Sequence, residues 1–288
     1  MQNKFGINLF GEDPLTSLEM LKTYGYAYVD YGSHFNFHSM HIDRLRKMKE
    51  KTLEFGLRPF SLHNPYCLLP APEEKDYERK IRQLREVVDV AAFLDVDILT
   101  VHPGVPDRVD TDIDELIHYW NTTGFDEINR KSIEQLAELC RYADQSGIVV
   151  TIENLPVFKG KTASSNFYST VDELLNIIRS LALQNITNIG ICFDTGHANL
   201  GGIDISDGIM KAGPYLKQLH LNDNMGDIQG DMHLICGEGN IQWDKVINSL
   251  DNIAFAGPVT FEHGSRSGHC IEYMMENCIE NWKRLYSC

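Results

Sequence analysis

Six hydrophobic runs along the chain end on one three-residue rule: a small or polar residue, an apolar residue, then an acid or an imidazole. The third positions are His63 in SLHNPY, His102 in TVHPG, Glu153 in VTIENLP, Asp194 in CFDTGH, His220 in LHLND and Glu262 in TFEH. The apolar residues before them are Leu62, Val101, Ile152, Phe193, Leu219 and Phe261. Two before them stand Ser61, Thr100, Thr151, Cys192, Gln218 and Thr260. A strand turns successive side chains to opposite faces. Each apolar residue can therefore pack outward beneath a helix while each acid or imidazole points inward. A single polar residue closing an apolar strand is ordinary, but six of one parity, all carboxylates and imidazoles, read as a ligand set. His197 in CFDTGH, and Asp231 and His233 in GDMH, follow two of these strands and extend the candidates to nine.

The same runs alternate with amphipathic stretches in eight β-then-α units. Strands are expected over 5–10, 26–31, 57–63, 96–102, 148–153, 188–194, 216–221 and 257–262. Helices are expected over 14–24, 39–55, 74–94, 126–146, 170–183, 205–213, 241–251 and 270–286. Asp13-Pro14 suits an N-cap with proline at the first helical position, and Gly25, Gly56 and Gly147 fall where helices should end. Eight such units, rich in Val, Ile and Leu, point to a parallel sheet closed on itself, a single (β/α)8 barrel domain spanning 1–288. An open doubly wound sheet competes, but the Gly-rich phosphate loop it would carry after an early strand is missing. A barrel keeps its chemistry at the carboxyl ends of its strands, where the candidates fall. The long segment 103–125 reads as a lid or rim, and the glycine-rich stretch 222–240 carries Asp231 and His233.

The charge narrows the partners. A formal net charge of −15 argues against broad, sequence-independent nucleic-acid binding. No run approaches the length of a membrane span, and MQNKFGINLFGEDP lacks a basic segment followed by an apolar one, so a cytoplasmic protein with no membrane partner is expected. Seven scattered cysteines, none spaced as CxxC, suit reduced thiols better than disulfides or a thiolate metal site. The sequence leaves a homo-oligomer open.

The motifs, in order and one per strand, resemble the xylose isomerase-like TIM-barrel superfamily, which holds sugar isomerases and epimerases, inosose dehydratases and endonuclease IV. For its sugar-acting members the resemblance implies one divalent metal held by Glu153, Asp194, His220 and Glu262. For the endonuclease it implies three zinc ions held by those four together with His63, His102, His197, Asp231 and His233. The segment HLNDNMGDIQGDMHLICGEGNIQW resembles the endonuclease more than the ketohexose epimerases. Relatives labelled sugar phosphate isomerases or epimerases have a similar segment.

Three carboxylates and one imidazole make an oxygen-rich site suited to Mn²⁺, Mg²⁺, Co²⁺ or Zn²⁺. Such an ion polarises a carbonyl and stabilises an enediolate. Glu153 and Glu262 would then carry a proton next to that carbonyl, making the protein a sugar or sugar-phosphate isomerase or epimerase. In this reading His197 meets a substrate hydroxyl. The alternative is a three-zinc phosphodiesterase acting on abasic DNA, and a further one is a sugar or polyol dehydratase or lyase subunit. A nuclease should display rim cations and wedge aromatics. The cations are few (Arg108, Lys159, Lys161 and Arg266), with Tyr66 and Phe158 as aromatics. Asp107, Asp110, Asp112, Asp114 and Glu115 make the fourth loop acidic, which favours a small sugar over a duplex. Asp30, Tyr66, Lys159, Lys161 and Arg266 are the candidates for substrate contact. No arginine stands in LNDNMGDIQGD after His220, a departure from the ketohexose epimerases.

Overall fold

Strand parity decides the architecture. The computed structural model describes residues 4–8, 13–32, 42–69, 77–107, 113–157, 167–226, 230–263 and 267–286. Eight strands, β1 (Lys4–Asn8), β2 (Tyr28–Tyr31), β3 (Arg58–His63), β4 (Ile98–Val101), β5 (Val149–Glu153), β6 (Ile189–Asp194), β7 (Leu216–Leu221) and β8 (Pro258–Phe261), close in sequence order into one barrel. Neighbours are parallel throughout, and β1 pairs with β8 to shut the ring. Around it run α1 (Pro14–Thr23), α2 (Ile42–Glu54), α3 (Tyr77–Phe93), α4 (Ile113–Thr123), α5 (Phe125–Asp144), α6 (Val171–Ala182), α7 (Thr195–Leu200), α8 (Ile205–Ala212), α9 (Trp243–Asn252) and α10 (Ile271–Tyr286). This is the (β/α)8 arrangement that the sequence pattern implies.

The outward strand residues Leu62, Val101, Ile152, Phe193, Leu219 and Phe261 are buried beneath the helices. Caps fall where the sequence places them. Asp13 accepts from the Leu15 amide ahead of Pro14, and Gly25, Gly56 and Gly147 take positive φ past the ends of α1, α2 and α5. Two helices were not foreseen. One is α7, a short helix that starts directly on Asp194. The other is α4, within the segment expected to be a lid or rim. It is anchored there, with Trp120 buried and its Nε1 donating to the Gly104 carbonyl at 2.9 Å.

Barrel interiors are usually filled with branched aliphatic side chains. Here the middle layer is polar, made of Asp30, Ser61, Thr100, Thr151, Cys192, Gln218 and Thr260, all buried. The Gln218 amide is its hub. Oε1 accepts from Thr100 Oγ1 at 3.0 Å, and Nε2 lies 3.1 Å from both Ser61 Oγ and Thr260 Oγ1. Thr260 Oγ1 donates to Asp30 Oδ2 at 2.7 Å. Two register shifts admit one extra residue each, Phe60 between β2 and β3 and Lys217 between β6 and β7. The first turns the Phe60 ring inward over Gly6, where a Cβ would meet Cε1 at 2.4 Å. Cys140, Cys192, Cys236, Cys270 and Cys278 are free thiols, and among the described residues no helix is long and apolar enough to cross a membrane.

The Phe60–Gly6 contact is testable. Overpacking a filled core costs about 1–3 kcal/mol, so Gly6→Ala should lower the unfolding free energy by that much, read as a lower urea midpoint at unchanged slope. Phe60→Leu in the same chain should recover part of the loss, because the two changes share one contact.

Candidate metal centre

Above the polar layer the strand ends bring the six inward candidates together. His220 Nδ1 lies 2.8 Å from Glu262 Oε2 and 3.3 Å from Glu153 Oε1. Glu153 Oε2 lies 3.1 Å from His63 Nε2 and 3.4 Å from His102 Nε2, while Oε1 is 3.4 Å from His197 Nδ1. Glu153, Asp194, His220 and Glu262 each offer one ligand atom, all within 4.8 Å of one another. The same closeness holds for His63, His102 and Glu153, and for His197, Asp231 and His233. All nine sequence candidates therefore fall into three groups, two of which share Glu153.

The donor chemistry fits cations. Glu153 Oε1, His220 Nδ1, Glu262 Oε2, Asp231 Oδ1 and His102 Nε2 are buried without a hydrogen-bond partner. Buried polar atoms are normally satisfied, so these five exceptions among the candidate side chains fit the binding of cations. The imidazoles are also set in ligand tautomers. His197 Nδ1 faces the Asn154 carbonyl at 2.8 Å, and His233 Nδ1 faces the Glu262 carbonyl at 3.0 Å. Each Nδ1–H donates to backbone, which leaves Nε2 as the open nitrogen aimed at Asp231 Oδ2, at 3.4 and 2.8 Å respectively.

Burial pushes Asp194 up to about 7, with the neighbouring acids Glu262, Glu153 and Asp231 adding to the rise against His197. Burial also raises Glu153, but His220, His102 and His63 outweigh it and hold this carboxyl well below its ordinary range. His233 is carried up to about 9: burial opposes its charge, and the Asp231 carboxylate overcomes that. His197 and His220 are raised in the same way, by Asp194 and Asp231 for the first, and by Cys192, Glu153 and Glu262 for the second. Without a cation, protons on the imidazoles balance the acids, and a bound ion would take over that charge.

Residues that the sequence reading passed over hold the ligands in place. Asn154, directly after Glu153, pairs with the backbone of Asp194 in both senses: the Asp194 amide donates to Oδ1 at 2.8 Å and Nδ2 donates to the Asp194 carbonyl at 3.0 Å. Asn8 treats His263 likewise, at 3.2 and 3.3 Å. Asn222 Nδ2 donates to Asp194 Oδ2 at 2.8 Å, while the His197 amide donates to Oδ1 at 2.7 Å as the cap of α7. A Cβ at Gly196 would sit 1.8 Å from Asn222 Oδ1, so only glycine leaves room for that brace.

The segment from 222 to 243 hangs on Asp223. Its carboxylate accepts from the amides of Asn224, Gly237 and Ile241 and from Trp243 Nε1, at 2.9, 2.9, 3.3 and 2.8 Å. Trp243 is thus a packing residue, edge-on to Trp282, with a polar tether. His233 has φ +49, an uncommon conformation for a non-glycine residue. His263 holds it there, with Nδ1 facing the His233 carbonyl at 3.1 Å and the ring stacked on Phe261. Burial lowers His263 to about 4, so this ring is neutral and donates a single proton to that carbonyl.

The remaining candidates divide. Asp30 points inward but lies in the layer beneath, 3.7 Å from His220 Nε2. Tyr66 sits after β3 with its ring 5.8 Å from the Lys80 ammonium. Lys159, Lys161 and Arg266 lie outside the described residues, as do Arg108 and Phe158. The acidity assigned to the fourth loop needs one correction. Asp107 is paired with the buried Lys80 at 2.8 Å, so its charge is not displayed to solvent unbalanced. Asp114 and Glu115 occupy the first turn of α4, and Asp110 and Asp112 lie outside the described residues.

Residues 18–284 match the family described as xylose isomerase-like TIM barrel. An uncharacterized protein of Methanocaldococcus jannaschii is 30% identical over 207 residues, 71% of this chain and 62% of that protein, so the chain spans less than two thirds of that relative's length. A probable endonuclease 4 of Malacoplasma penetrans is 26% identical over 221 residues, 73% of this chain and 68% of that one. Among solved structures, a D-psicose 3-epimerase determined in the presence of D-fructose superposes with a TM-score of 0.78 at 15% identity, covering 99% of this chain and 100% of the other.

Removing the Asp223 carboxylate strands three amides and an indole N–H at once. Each buried unsatisfied donor costs about 1–3 kcal/mol, so Asp223→Ala should lose about 3 kcal/mol or more in chemical unfolding followed by tryptophan fluorescence. Trp243→Phe, which removes a donor together with its need, should lose less. Equal losses would show that packing at Trp243, not the carboxylate, holds the loop.

Proposed function

Because the chain belongs to the xylose isomerase-like TIM barrel family, we propose that its strand-end centre binds a divalent metal and moves a proton next to the carbonyl of a sugar or sugar phosphate, as an isomerase or epimerase. The reading rests on one observation above others. Glu153 Oε1 and Glu262 Oε2 converge on His220 Nδ1 at 3.3 and 2.8 Å, all three buried and without a well-formed hydrogen bond, at the strand ends. Glu153, Asp194, His220 and Glu262 would hold the ion. A bound divalent ion supplies Lewis-acid polarisation of a substrate carbonyl and electrostatic stabilisation of the charge that develops on it.

The two glutamates divide the remaining work by access. Glu262 keeps 17% of its side chain exposed, whereas Glu153 keeps 1%. Glu262 is therefore the group that meets substrate from the open side, removing or returning the proton on carbon. Glu153 sits among His63, His102, His197 and His220 within 3.4 Å and serves on the inner side, where those rings can relay its proton. His197 and His102 stand beside Glu153 and would orient substrate hydroxyls. Lys159, Lys161 and Arg266 are the cations proposed for a substrate phosphate. The likeness to a D-psicose 3-epimerase supports a sugar-like ligand, and the acid- and imidazole-rich cluster suits hydroxyl groups better than an apolar ligand.

A second reading has its own support. The groups His63–His102–Glu153 and His197–Asp231–His233 could take two further ions, and imidazole-rich groups favour zinc. Three zinc ions would suit in-line attack on a phosphodiester, and the likeness to a probable endonuclease 4 agrees with that. A dehydratase or lyase would use the same centre as the isomerase.

Metal content separates the readings. Elemental mass spectrometry on untagged protein never exposed to chelator should find about one ion per chain if the isomerase reading holds, following the four-ligand geometry. About three zinc ions would overturn it in favour of the phosphodiesterase, with an abasic-site duplex as substrate. General acid–base catalysis contributes about 10²–10⁴-fold, so Glu262→Gln should lower turnover by at least about a hundredfold while leaving the unfolding midpoint near that of the parent. Full activity in that variant would refute the role given to Glu262.

A further inference from the structure

His220 turns Nδ1 toward Glu153 and Glu262, so Nδ1 is the nitrogen offered to an ion. A neutral imidazole that ligates through Nδ1 carries its proton on Nε2, and that proton needs an acceptor inside a sealed barrel. Two groups face Nε2. One is Gln218 Nε2 at 3.1 Å, itself a donor, so two N–H groups would oppose each other there. Gln218 has other uses for its protons, with Ser61 Oγ and Thr260 Oγ1 both at 3.1 Å. The other is the Asp30 carboxylate, with Oδ2 at 3.7 Å.

Asp30 is an unusual residue to find there. It is 1% exposed in the polar layer, reached from the far side of the barrel by β2, while His220 comes from β7. Oδ2 accepts from Thr260 Oγ1 at 2.7 Å and from Gln218 Nε2 at 3.3 Å, while Oδ1 has no hydrogen-bond partner. A buried carboxylate oxygen left open costs free energy unless something completes it. The carboxylate that carries this open oxygen lies beside the ring that must hold a proton, with Oδ2 as the nearer atom.

We propose that Asp30 is a positioning residue for the metal centre, accepting the Nε2 proton of His220 across the barrel and so keeping Nδ1 turned to the ion. The inference rests on the metal-binding reading above and deepens it. The 3.7 Å contact is longer than a hydrogen bond and closes to one when Nε2 bears the proton, as contacts in unliganded sites commonly tighten on loading. The negative charge behind the ring makes Nδ1 a better donor to a cation. Lying beneath His220, Asp30 touches no substrate. Its place in the ligand's support replaces the substrate contact expected from the sequence.

The test is zinc affinity of the full chain, measured by competition with a chromophoric chelator. Loss of such a supporting partner typically weakens metal binding about 10–100-fold, which is the loss expected for Asp30→Asn and Asp30→Ser. Thr151→Val, in the same layer but bonded to Thr100, should stay within about threefold of the parent because it leaves the His220 acceptor in place. If all three variants lose affinity alike, the layer matters only for folding and the proposal falls. If the Asp30 variants bind zinc as tightly as the parent, it falls while the metal reading stands. A parent protein that binds no zinc would overturn the metal reading and this inference with it. Should the Asp30 variants not fold, histidine-labelled ¹⁵N spectra of the zinc-loaded parent decide the matter. A His220 ring with metallated Nδ1 and protonated Nε2 supports the proposal, and the opposite tautomer refutes it.

Discussion

A carboxylate sealed from water must be matched by positive charge, and Glu153 is the point from which the centre is organised. It is fully buried and has four imidazoles within 3.4 Å, from β3, β4, α7 and β7. An ionised acid in that position is tolerable only because those rings, or a cation among them, neutralise it. The arrangement ties distant parts of the chain to one electrostatic balance. Asp194, Asp231 and Glu262 add three more acids, and His233 adds a fifth ring. None of these groups can be altered without changing the charge that the others see.

The polar layer beneath extends the same logic downward. A conventional aliphatic filling would leave the ligand rings resting on surfaces that cannot hydrogen-bond. Here Gln218, Thr100, Thr151 and Thr260 form a bonded network, and Asp30 brings a second buried acid beneath His220. Buried polar networks are favourable only when nearly complete. The open positions that remain, Asp30 Oδ1 in this layer and the ligand atoms above it, are where added chemistry belongs.

Much of this was legible in the residues themselves, because period-two alternation converts a three-residue rule into an inward and an outward set. The barrel, the six inward candidates and the outward apolar partners follow from that rule alone. What escaped was whatever depends on the third dimension. Asn154 and Asn222 look like loop residues in sequence and Asn8 like an ordinary strand residue, since nothing local says that an amide will pair with a strand on its flank. Asp223, in HLND, carries four hydrogen bonds whose donors lie up to twenty residues on. The α4 helix was hidden within a segment whose acids and prolines suggest a rim, and its anchor is a tryptophan N–H on a distant carbonyl. Asp30 was seen as a pocket residue because strand parity points it inward. Depth along the strand, which sequence does not report, puts it below the ligands.

The paired amides of Asn154 and Asn8 have a wider implication. Each adds one more rung to the sheet just past the last regular strand pair, so the segments bearing Asp194 and Glu262 are secured by the barrel wall. The loops beyond them are not needed for that purpose. The candidate ligands and the loops above them are thereby carried by separable parts of one chain. Such a division lets insertions and replacements accumulate above the rim while the reactive core stays registered, and offers a mechanical reason why one barrel family can hold proteins named for sugars and proteins named for DNA.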